Sequence, residues 1–212
     1  MKKVLPAQLN YSGFTLRDAM KLIPAEQFLR WRLDPSSRAP SDFLIEDLRR
    51  LESFDLKSSE QAKTLLIDSL FSEIVPLHGS LKNWKAAILN TDTLTGVADY
   101  LMAPHRAYLE TPLLCVAEAK RNEFEQGAAQ GIAEMIGRRW NNRQGDHDND
   151  IFGIVSNGQI RQFYKLTRAG ELFETELYTT AFLPELLGVL DFIFGECAAN
   201  VVPAAGTPVM HC

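Results

Sequence analysis

The spacing of hydrophobic positions changes along the chain, and each change marks a new kind of element. From residue 58, "SSEQAKTLLIDSLFSEIV" brings Leu66, Leu70 and Ile74 to one face of a helix that Ser58 or Ser59 can cap. After "PLHGS" the pattern turns to strands, first "WKAAILN" and then "TLTGVADYLM". "APHRAYLETP" interrupts with two prolines. The run that follows, "LLCVAEAK" at 113–120, is apolar on both faces and so predicts a central, buried strand. "EFEQGAAQGIAEMIGRRW" returns to helical spacing through Phe124, Ala128, Ile132, Met135 and Ile136. Its small residues predict close packing on a sheet. "IFGIVSNGQIRQFYKL" predicts a hairpin turning at Asn157-Gly158. "ELFETELYTT" predicts another strand, and 182–196 a closing helix.

Residues 14–56 read as polar helices: "TLRDAMKLI" opened by Thr15 and Asp18, then "AEQFLRWRL", the turn-rich "DPSSRAPSD" and "FLIEDLRRLESF". Arg30, Arg32, Arg38, Arg49 and Arg50 read as a solvated face rather than a phosphate-facing surface. Together these elements predict an α/β protein with a mixed β-sheet flanked by helices. The expected organisation is a helical extension over 1–56, a main domain over 57–198 and a flexible tail over 199–212.

At 212 residues the chain suits one domain with a sizeable core. A net charge of −5 counts against a surface that attracts nucleic acid everywhere, while leaving room for a local basic cleft. Cys115, Cys197 and Cys212 are too scattered for a disulfide framework or a zinc knuckle. No apolar run follows the basic start, and "LPELLGVLDFIFGEC" is short and carries Glu185, Asp191 and Glu196. Neither a secretory signal nor a membrane span is expected, and the cytoplasm is the expected compartment.

The chemistry gathers at the end of the buried strand. Glu118 and Lys120 lie two apart and therefore share a face, where charges are placed when they are paired or bind something. Asp99 ends the apolar part of the preceding strand. If the two strands pair antiparallel, Asp99 comes beside Glu118. Two carboxylates repel each other, so a divalent cation is the natural third party, and an oxygen-only donor set favours magnesium or manganese. Such an ion polarises a phosphodiester, while a nearby lysine stabilises developing negative charge.

Asp99, the Glu118-Ala119-Lys120 triplet, the acidic helix before them and the glutamine-bearing helix after them resemble the PD-(D/E)XK nuclease superfamily. "SEQAKTLLIDSLFSE", "GVADY", "VAEAKRNEFEQGAAQGIAEM" and "IFGIVSNGQIRQFYKL" are similar to a group of uncharacterised bacterial proteins, common in cyanobacteria, assigned to it. The resemblance covers roughly residues 58–166 and implies a restriction-endonuclease-like core. It implies that Asp99, Glu118 and the Ala119 carbonyl hold the metal, and that Lys120 orients or activates water. Ala98 stands where the superfamily name records proline. For the acid of the first helix, Glu60 and Glu73 compete, with Glu60 preferred; Gln130 matches a glutamine of the later helix, with Gln126 one turn earlier.

"GDHDNDIFG" lacks the glycine and terminal glutamate of a calcium loop and reads as a solvated loop. The scattered histidines form no triad spacing, and no phosphate-binding glycine loop is present to suggest ATP use. The expected function is metal-dependent hydrolysis of DNA, less readily RNA. The competing expectation is a non-cleaving module that binds nucleic acid or protein. Nucleic acid is the expected partner, with a homodimer or a partner protein left open.

Overall fold

The structure, a computed structural model, describes residues 8–56, 59–119, 124–157 and 160–201, and at residues 60 and 61 the backbone alone. The N-terminal segment supplies strands as well as helices. β1 (Leu9–Asn10) leads through a tight turn at Tyr11–Gly13 into α1 (Leu16–Met20), which Thr15 caps by accepting from Asp18 N at 3.2 Å. β2 (Leu29–Arg30) and α2 (Asp42–Leu51) follow. The helical reading of "AEQFLRWRL" is corrected, since β2 falls within it, and the N-terminal segment carries two short strands beside α1 and α2. Two-residue strands have no periodicity of their own; tertiary pairing creates them.

α3 (Glu60–Ile74) is capped by Ser59, whose Oγ accepts from Ala62 N at 3.1 Å. β3 (Leu81–Asn90) and β4 (Leu94–Pro104) form a long antiparallel hairpin in a single register from Leu81 opposite Pro104 to Asn90 opposite Thr95. β5 (Cys115–Ala119) pairs antiparallel with β4. α4 (Phe124–Gln144) then crosses over to β6 (Ile151–Ser156), which runs parallel to β5. β7 (Ile160–Leu166) completes the predicted second hairpin, with Asn157 Oδ1 accepting from Ile160 N at 3.0 Å. β8 (Leu172–Glu174) and β9 (Tyr178–Thr179) pair with different parts of β7, and α5 (Leu183–Ala199) follows. Of the tail, residues 202–212 lie outside the described residues.

Among the described residues the strands make one mixed nine-stranded sheet, and alternation along them sorts two cores. Tyr100, Met102, Cys115, Ala117, Ala119, Ile154 and Phe163 pack toward α3 and α5. Leu101, Ala103, Val116, Val155 and Tyr164 pack toward α4. β1 joins β4 and β2 joins β8, both in parallel, so the N-terminal segment is bonded to the sheet at two places.

Tyr11 fixes that segment. Its ring is fully buried between β4 and α4, in space left by two glycines. A Cβ on Gly96 would stand 2.5 Å from Tyr11 Cδ2, and one on Gly137 would overlap the Tyr11 hydroxyl. Gly96→Ala is therefore expected to destabilise the protein by about 1–3 kcal/mol through overpacking. Urea unfolding measures it, and an unchanged midpoint would mean that the ring has room to move.

Candidate active site

One edge of β4 serves two partners, β1 at Leu94 and Thr95 and β5 at Tyr100–Met102. Asp99 lies just where the edge passes to β5. Carrying the register one step beyond Tyr100 opposite Ala117 sets Asp99 opposite Glu118. Here the backbone ladder gives way to a side chain: Asp99 Oδ2 accepts from Ala119 N at 2.9 Å. On the other edge, Ala86 faces Asp99 by the same counting and has φ 51°, an uncommon backbone for a residue with a side chain. Alternation puts Asp99 with Leu101 and Glu118 with Val116, on the α4 face. Asp99 is half-buried and Glu118 only 1% exposed. The Ala119 side chain points to the opposite core.

α4 answers these acids with a stripe of its own. Gln130, Glu134 and Arg138 recur every four residues and share one helix face, and all are buried. Gln130 Nε2 donates to Glu134 Oε1 at 3.1 Å. Arg138 Nη2 lies 3.8 Å from Glu134 Oε2, and the guanidinium stands 5.4 Å from the centre of the Tyr11 ring.

Glu134 also lies against Glu118, carboxyl to carboxyl. Desolvation raises the Glu134 pKa above the usual carboxylate range; Arg138, Glu118 and Gln130 pull it back, and the charge of Asp99 adds to the rise. Two carboxyls in contact away from water hold together through a shared proton, and because the contact lowers the Glu134 pKa, Glu134 is its acceptor. Burial likewise pushes Arg138 down, opposed by Glu134, Tyr11 and Glu118.

The structure thus brings Asp99, Glu118 and Gln130 of the predicted site into one neighbourhood. Lys120 lies outside the described residues. Glu60 is the first residue of α3 and its side chain is likewise outside them. The N-terminal half of α3 does pass the residue after Asp99: Tyr100 Oη donates to Thr64 O at 3.0 Å and to Asp68 Oδ1 at 2.9 Å. Glu73 is occupied elsewhere, accepting from Ser41 N at 2.8 Å and Ser41 Oγ at 2.7 Å at the start of α2. Gln126 donates to Ser12 O at 2.9 Å and Phe14 O at 3.1 Å, which ties down the N-terminal segment.

Sequence reasoning missed Glu134 and Arg138. Their signal was present, since polar residues repeating every four positions on a helix of small and apolar ones mark a second stripe. The arginines read as a solvated face are engaged at the surface, Arg38 with Asp191 at 2.9 Å and Arg49 and Arg50 with Glu46 at 2.8 and 3.0 Å. In the acidic loop, Asp150 accepts from Arg168 N at 2.9 Å and Asp148 lies 3.6 Å from Arg143.

Among the described residues, no group of three or more His, Cys, Asp or Glu is gathered to hold a metal ion. Asp99, Glu118 and the Ala119 carbonyl offer oxygen donors, the chemistry that suits a hard divalent cation. Among the same residues, no helix is long and apolar enough to cross a membrane. Scanned against protein-family models the chain matches none, and a search of the curated proteins finds no relative.

Proposed function

We propose that the protein is a cytoplasmic, metal-dependent nuclease with a restriction-endonuclease-like core, acting on DNA and less readily on RNA. One observation carries the reading: Asp99 and Glu118 stand opposite each other, on one sheet face, where a buried strand ends one residue before Lys120. The order α3, β3, β4, β5, α4, β6 around that point supports it. Magnesium or manganese bound by Asp99, Glu118 and the Ala119 carbonyl would supply Lewis acidity to the phosphodiester. Lys120 would stabilise the negative charge that develops on phosphorus oxygens, and Gln130 would orient water or phosphate from α4. Glu134 and Arg138 act through Glu118, holding its carboxylate in place and balancing its charge. Glu60 would add an acid from the start of α3.

The alternative, a non-cleaving interaction module, draws on the net charge of −5, which weakens free-standing binding to polyanions. Incubation with supercoiled plasmid, single-stranded DNA and RNA, with magnesium or manganese, separates the two. Cleavage that needs the metal supports the nuclease; intact substrates throughout give the lead to the module.

Metal binding has its own readout. Manganese should raise the melting temperature of the wild type by mass action. Asp99→Asn should fold, because an amide oxygen can still accept from Ala119 N, yet should lose that response. A full manganese response in the variant would remove Asp99 from the metal site.

A further inference from the structure

Arg161 lies on β7, opposite Ser156 of β6 and on the face that packs toward α3 and α5. It is 1% exposed, and neither Nη1 nor Nη2 has a hydrogen-bond partner among the described residues. Desolvation pushes its pKa down to about 10. A guanidinium is costly to bury without an anion, and its planar fork matches the oxygens of a phosphate.

Its place in the sheet gives the anion a source. Ala119 of β5 stands opposite Ser156, and Ser156 opposite Arg161, so one row joins the strand of the candidate carboxylates to this arginine. At ~4.8 Å per strand the row spans about 10 Å, roughly three steps of a nucleic-acid strand at ~3.4 Å of axial rise. On the same face, Lys63 is buried on the α3 stripe it shares with Ile67, Leu70 and Ile74, beside the Thr64 that meets Tyr100. Asp99, Glu118 and Glu134 gather on the other face. The acids under α4 face Arg138 there, whereas Arg161 and Lys63 are the buried cations of the α3 side.

We propose that Arg161 is a receptor for a phosphate group of a nucleic-acid backbone that crosses this end of the sheet, its reacting phosphodiester lying at the carboxylates on the opposite face. The identity of the chain that bears the phosphate rests on the nuclease reading; the anion site itself does not. The long arginine stem lets the guanidinium swing outward to meet its ligand, exchanging an uncompensated burial for a charge-assisted fork.

The test needs no cleavage. Full-length wild type, Arg161→Met and Arg161→Lys are melted in EDTA, alone, with inorganic phosphate and with a short DNA duplex, and duplex affinity is titrated against salt. Without anion, Arg161→Met should melt above the wild type, because a buried, unpaired charge has gone. Phosphate and duplex should raise the wild-type melting temperature and leave Arg161→Met unmoved. Duplex affinity should fall about tenfold in Arg161→Met, with the salt slope reduced by about one phosphate contact. Equal responses in wild type and Arg161→Met would overturn the site, and a response to inorganic phosphate without one to duplex would overturn the nucleic-acid assignment. Should Arg161→Met fail to fold, Arg161→Lys decides: duplex binding as tight as wild type overturns the proposal, and weaker binding by a folded variant supports it. If duplex binding depends on Arg161 but no substrate is cut with metal, the nuclease reading fails and the phosphate site stands.

Discussion

Arg138→Met should lower the free energy of unfolding by about 3–5 kcal/mol, measured as a fall in the urea midpoint. Arg138 is fully buried and faces Glu134, which in turn lies against Glu118. With one proton shared between them, the acid pair carries a single negative charge, and Arg138 is the cation that balances it. Methionine fills much of the volume but leaves that charge uncompensated away from water. Glu118→Gln removes one of the two acids and leaves Glu134 an amide as its hydrogen-bonding partner. The double variant Arg138→Met/Glu118→Gln should therefore lose less than the two single losses combined, by about 1–3 kcal/mol of coupling. Strict additivity would show that the pair and the guanidinium do not sense each other.

Lys120→Ala should lower the rate of phosphodiester cleavage by about a hundredfold or more, which corresponds to roughly 3 kcal/mol of lost transition-state stabilisation. Nucleic-acid affinity should change much less, because one lysine is one of several phosphate contacts. Lys165 makes a useful control: its ammonium lies 5.0 Å from the Trp31 and Phe173 ring centres, away from the acids, so Lys165→Ala should still cut. Equal cleavage by Lys120→Ala and wild type would discard the mechanism and leave the fold untouched.

The central part of the fold is legible because its segments carry their own periodicity. The β3–β4 hairpin, the doubly apolar β5, α4 and the β6–β7 hairpin all stand where their spacing puts them. β1 and β2 are legible nowhere locally, since each is two residues long and exists only through a distant partner, and the one strand expected over 171–180 divides into β8 and β9. The candidate site divides in the same way. Asp99 and Glu118 can be read from strand ends, whereas Glu134 and Arg138 hide on a helix whose apolar stripe draws attention first. Arg161 occupies an ordinary polar position of an alternating hairpin, and only β9 and the core beneath α3 and α5 turn that position inward.

The two parallel attachments of the N-terminal segment bear on the order in which the protein assembles. Leu9 pairs with Leu94 and Leu29 with Phe173, contacts that close very long loops and reward the chain only after the rest of the sheet exists. During synthesis β1 and Tyr11 must wait for β4 and α4, and β2 must wait for β8. Native-state hydrogen exchange should therefore show these two short ladders opening before the β3–β4 hairpin, as a separate cooperative unit. A nascent or partly unfolded chain would then expose the gap between Gly96 and Gly137 before the rest of the core opens.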